Sequence, residues 1–168
     1  YITDNAYSRE QILGMEFKIL KQLDYNICVP TGFHFMTRYL HSFEVSEQVK
    51  YLSFYYAERN LQEYDMLSIP PNKFAAFAFY AALSFHLPDD YDPRDPMVAR
   101  DDVWTPELAA LTGYSKNDLV VGASNILKHV KEETVTASRR QLIAAKKKYA
   151  SERYNSISTL PVPEINVP

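Results

Sequence analysis

The sequence predicts an all-α protein, and three observations carry that prediction. Apolar residues recur at spacings of three and four along most of the chain, the period of a helix with one buried face. The stretch Phe74 to Leu83 is apolar on every side except for the hydroxyl of Tyr80, so it must be surrounded by other helices. Only 4 glycines occur in 168 residues, too few for a turn-rich β-architecture or a phosphate-cradling loop protein.

Taken in order, Ser8-x-x-Gln11 is a capping box, and it opens a helix over Ser8 to Leu23 with Ile12, Met15, Ile19 and Leu23 on one stripe. Asp24-Tyr25-Asn26 breaks that helix, and Ile27 to Pro30 reads as an extended linker. A second helix follows Pro30 with Thr31 as cap and Phe33, Met36, Leu40 and Phe43 on its inner face. Ser46 caps a third, running to about Met66 with Val49, Leu52, Tyr55, Tyr56 and Leu61. Pro70-Pro71 stops it and pre-sets the first turn of the fourth, Pro71 to Leu87. There Ala75, Ala78 and Ala82 allow close approach, while Phe74, Phe77 and Phe85 fill the gaps between neighbours.

Pro88 to Val103 is rich in Asp and Pro and reads as a solvated acidic loop. Thr105-Pro106-Glu107 begins a short helix that Gly113 ends. Ser115-x-x-Asp118 opens a sixth helix with Leu119, Ala123, Ile126 and Val130 facing inward. A basic helix from about Ser138 to Ala150 and an irregular, proline-containing tail complete the chain. In the basic stretch, Arg139, Arg140, Lys146, Lys147 and Lys148 solvate a helix that packs through Leu142, Ile143 and Tyr149.

Composition narrows the function classes. Hydrophobic residues make up 46%, enough for a core, and the net charge of −3 is no general attractor of nucleic acid. The longest apolar run, ten residues, is well short of the roughly 20 that span a bilayer. The one cysteine, Cys28, sits in an apolar string and reads as a small buried hydrophobe of a protein in a reducing, intracellular compartment. His34 and His41 lie two turns apart, but the ligand set for a zinc ion is missing, so the four histidines read as surface or hydrogen-bonded helix residues. Asp89, Asp90, Asp92 and Asp95 lack the glycine and closing glutamate of a calcium loop. No nucleophile elbow, phosphate loop, HExxH or CxxC string appears. The expectation is a protein-binding module with no catalytic residue, metal or cofactor and no small-molecule substrate.

Three strings resemble a known family. Tyr1-Ile2-Thr3-Asp4-Asn5-Ala6-Tyr7, with Met15-Glu16 and Ile19-Leu20, resembles the stretch joining the last two helices of an N-terminal cyclin box. Tyr64-Asp65-Met66, then Pro70-Pro71 and the Ala/Phe helix, resembles the middle of a C-terminal cyclin box. Lys148-Tyr149-Ala150-Ser151, with Ile157 to Pro161, resembles the end of mitotic cyclins of the B type.

The resemblance implies a five-helix cyclin fold around a central apolar helix, preceded by one helix left over from the N-terminal box. It divides the chain into 1–29 (the remnant), 30–135 (the C-terminal box) and 136–168 (basic helix and tail). It implies a regulatory subunit that binds and activates a cyclin-dependent protein kinase in nucleus and cytoplasm, here as a fragment that begins without an initiator methionine. In that family the kinase-binding surface lies mostly on the N-terminal box, so what remains of it would be near Tyr1, Ile2 and Tyr7. The acidic stretch Asp89 to Asp102 departs from the family's short connection. The stripe Ile12, Met15, Ile19 and Leu23, bare of its box partners, is expected to drive self-association. The alternative reading is the cyclin-fold core of a general transcription factor that binds DNA and protein partners, which calls for a broad basic face.

Overall fold

A computed structural model describes residues 2–85, 103–135 and 143–167. The chain divides into two compact units, Tyr1–Pro30 and Thr31–Pro168. The acidic stretch Asp89 to Asp102 and the residues Arg139, Arg140 and Leu142 lie outside the described residues.

The first unit holds one helix, α1 (Arg9–Gln22). Its capping box forms as the sequence predicts. The Ser8 hydroxyl accepts from the Gln11 N–H at 3.3 Å, and the Ser8 N–H donates to Gln11 Oε1 at 2.7 Å. At the other end Asp24 and Tyr25 take left-handed φ values of 47° and 57°, and the Tyr25 N–H reaches back to the Leu20 carbonyl at 2.9 Å. Two consecutive residues in that region end the helix sharply. The segment after this turn leaves Cys28 exposed, which corrects the buried-hydrophobe expectation: the extended Ile27–Val29 string presents its side chains outward.

The second unit is a helical bundle: α2 (Gly32–Ser42), α3 (Glu47–Asn60), α4 (Pro71–Leu83), α5 (Pro106–Thr112), α6 (Lys116–Val135) and α7 (Ala144–Tyr149), with three short 3-10 turns. Helix α4 is the hub, packing on α2, α3, α5 and α6. Its nine consecutive residues Phe74 to Ala82 are all buried, as a helix without a polar face requires. The inner face of α6 is the one its spacing predicts: Leu119, Ala123, Ile126 and Val130 are all buried.

Close packing sets one glycine. A Cβ added at Gly122 of α6 would lie 2.3 Å from the ring of Phe77 on α4, so only glycine lets these two helices approach at that level. Around the hub the aromatics interlock. Tyr39 stacks on Phe79 with ring centres 6.2 Å apart, and Tyr80 meets Trp104 edge-on at 5.6 Å. The Trp104 indole N–H donates to the Tyr114 carbonyl at 3.0 Å, which satisfies its polar edge.

Three further expectations change. Helix α3 stops at Asn60 and is followed by a separate 3-10 turn, Tyr64–Ser68, rather than running on to Met66, and Leu61 is exposed. Phe33 is 64% exposed instead of inward; it stacks on Phe54 at 5.6 Å, and Tyr39 takes the buried position beside Met36. The fourth helix ends at Leu83, four residues before the predicted Leu87.

The segment after α7 is irregular in path yet anchored. Ile157, Pro163 and Ile165 are buried, and α3 packs on both α7 and the 3-10 turn Ile157–Thr159.

Candidate interaction surface

The first unit offers an apolar surface on a short, well-capped helix. No residue of α1 is buried, and Ile12, Met15, Ile19 and the C-cap Leu23 are each about half exposed. Tyr7 stands at N′ and Ile12 at N4, the two positions a hydrophobic staple uses, and both line one depression with Met15 and Ile19. Leu13 and Phe17, four apart, add a second exposed apolar row that the predicted stripe omitted. The signal for them was in the sequence, since residues at that spacing share a face. Ile2 is 98% exposed and Tyr7 62%, while Tyr1 lies outside the described residues. Glu10 sits in the first turn, where its backbone hydrogen bond and the Ser8 hydroxyl hold its carboxyl below the usual range.

In the described part of the basic stretch, Lys148 is used structurally. Lys148 Nζ pairs with Glu58 Oε2 at 2.6 Å, and the Tyr149 hydroxyl donates to the same oxygen at 3.1 Å. Burial, with Glu58 beside it, pushes the Tyr149 hydroxyl's pKa up, so it stays a donor. Tyr149 is enclosed by Tyr154 and Tyr55, with ring centres at 4.8 Å and 5.5 Å.

Among the described residues the histidines do not converge. His34 Nδ1 lies 2.9 Å from Thr31 Oγ1 as part of the α2 cap, and His41 Nδ1 lies 2.7 Å from the Thr37 carbonyl. His86 is outside the described residues. His129 instead meets Asn60, with Nδ1 2.8 Å from Oδ1, a contact across 69 positions that no local pattern announces. No helix among the described residues is long and apolar enough to cross a membrane.

The second unit is thus a helical box built around a buried Ala/Phe helix, and the helix of the first unit is exposed and apolar along one face. The family model described as "Cyclin, C-terminal domain" matches residues 30–163. This chain belongs to the cyclin family. It is 32% identical to Cyclin-B1-5 of Oryza sativa subsp. japonica over 96% of this chain and 32% of that protein. It is 34% identical to the G2/mitotic-specific cyclin-B of Hydra vulgaris, over 96% of this chain and 40% of that protein. Similarity extends to Cyclin-A2-1 of Arabidopsis thaliana, 30% identical over 98% of this chain and 35% of that protein. The chain therefore spans about a third of the length of these relatives.

Proposed function

We propose that this chain is part of a regulatory, non-catalytic subunit that binds and activates a cyclin-dependent protein kinase in cell-cycle control, in nucleus and cytoplasm. The observation that carries this reading is likeness to B- and A-type cyclins along nearly the entire chain, from α1 through the tail. Ile2 and Tyr7, both exposed among the described residues, fit a remnant of the kinase-facing surface. The apolar face of α1 belongs to the same reading. In the whole protein it packs on the rest of the N-terminal box; in this chain alone a second copy covers it through Ile12, Met15, Ile19 and Leu23.

The test is purification of the full-length protein from cell extract. Kinase activity on a histone-type substrate should copurify with it and be absent from a mock purification. A full-length protein recovered with no kinase polypeptide and no kinase activity overturns the reading.

A further inference from the structure

The elements that carry Glu63, Asp65 and His129 meet within the second unit. Glu63 is the N-cap of the 3-10 turn Tyr64–Ser68, Asp65 lies in that turn, and His129 is on α6. One ligand-capable atom from each lies within 4.8 Å of the other two. His129 Nε2 is 3.7 Å from Asp65 Oδ2, beyond hydrogen-bond reach. It is close to the roughly 3.3–3.6 Å edge of a tetrahedron whose ligands sit about 2.0–2.2 Å from zinc.

The imidazole is oriented from behind. Asn60 is fully buried, and its Nδ2 donates to the Tyr56 carbonyl at 2.9 Å and the Ile126 carbonyl at 3.3 Å. Both amide hydrogens are thus used, so Oδ1 is the atom that faces His129 Nδ1, and it can only accept. Nδ1 therefore carries a hydrogen, and Nε2 is the ring nitrogen on the side of the Asp65 carboxylate. A ring whose far N–H is held by a carbonyl oxygen is the arrangement metal-binding histidines use.

Glu63 is held in the same way. The Arg59 guanidinium, itself buried, pairs with Glu63 Oε1 and donates from Nη2 to the His129 carbonyl at 3.2 Å. That bond orients the carboxylate, one oxygen of which lies within 4.8 Å of the Asp65 and His129 ligand atoms.

We propose that Glu63, Asp65 and His129 form a binding site for one divalent transition-metal ion of the zinc class, tying the turn after α3 to α6. One imidazole nitrogen and two carboxylate oxygens match zinc better than calcium or magnesium, which take oxygen ligands alone. Water supplies the fourth position. Asp65, with a side chain 59% exposed, is free to make the small closing movement onto the ion.

The test uses the 168-residue chain, stripped with a chelator and titrated calorimetrically with zinc chloride. Calcium and magnesium chlorides serve as comparisons, and Cys28→Ser as the background that removes the exposed thiol. Saturable one-to-one zinc binding is expected, with a melting temperature that rises with zinc and stays put with calcium or magnesium. Asp65→Asn should weaken zinc binding at least about tenfold while leaving the zinc-free melt unchanged. Long-range nitrogen-15 spectra should show the His129 Nε2 resonance moving on zinc addition while Nδ1 keeps its proton. The proposal is overturned by the absence of saturable zinc binding, by binding that survives Asp65→Asn intact, or by binding that disappears in Cys28→Ser.

Discussion

A methyl group on residue 122 would collide with a phenyl ring. Because its Cβ would fall 2.3 Å from Phe77, Gly122→Ala should destabilise the second unit by about 1–3 kcal/mol. This holds even though alanine favours an isolated helix by about 1 kcal/mol. Thermal melts followed by circular dichroism should show this loss, and Phe77→Leu placed in the same chain should recover part of it. Recovery identifies the ring as the obstacle; an unchanged melt for Gly122→Ala alone would mean that α4 and α6 separate freely at this level. Asp118 offers a second residue-scale test. Its carboxylate accepts from the Ser115 hydroxyl at 2.6 Å and the Ser115 N–H at 2.9 Å, and these bonds lower its pKa. A group whose folded pKa is depressed contributes stability above its unfolded value, about 3.9, and loses it as pH falls toward the folded one. Asp118→Asn should therefore flatten the decline in melting temperature below about pH 4. The difference should be small, because the group is fully exposed.

Helix α1 shows what local signals achieve without burial. Its cap and its left-handed stop are complete, yet none of its residues is buried. An isolated helix of this length is marginal in water, so its order depends on what covers it. Light scattering on the chain alone should show a concentration-dependent dimer that Ile12→Glu/Ile19→Glu abolishes, with helicity falling in parallel. A chain that stays monomeric at high concentration with α1 still ordered would show that the stripe needs no second copy. In the same helix Ile12, Met15, Ile19 and Leu23 keep the spacing of a buried face although nothing in the described residues buries them.

Across the whole molecule, α3 is the strut that joins the hub to the segment after α7. Tyr149, Ile157 and Ile165 are nearly fully buried, and Lys148 and Tyr149 both close on Glu58. Fully burying a large apolar side chain is worth about 1.5–3 kcal/mol, so a chain ending at residue 142 should lose several kcal/mol. Chemical denaturation should then show a lower midpoint and exposed tyrosine fluorescence; an unaltered midpoint would make the segment a passive appendage. At the functional level, the purified 168-residue chain should fail to activate a cyclin-dependent kinase. Activation positions mobile kinase elements, and the chain spans only about a third of its relatives. Clear activation by the chain alone would assign α1 and Ile2–Tyr7 a sufficient surface.

Whatever depends on neighbours a turn away could be read from the residues alone: the caps at Ser8, Ser46, Thr105 and Ser115, the glycine stop at Gly113, and the all-apolar run that had to become the hub. The sequence also carried the family strings, because those residues are contiguous. Tertiary structure alone decided matters that depend on distant partners. Phe33 turned out to Phe54 while Tyr39 went in, since helical spacing defines a face but not which edge of it meets the neighbour. Asn60, Asp65 and His129 meet only because α3 and α6 pack side by side, more than sixty positions apart in the chain. Periodicity reads the side of an element; the register between two elements comes from the fit of their side chains, and only the folded chain computes that fit.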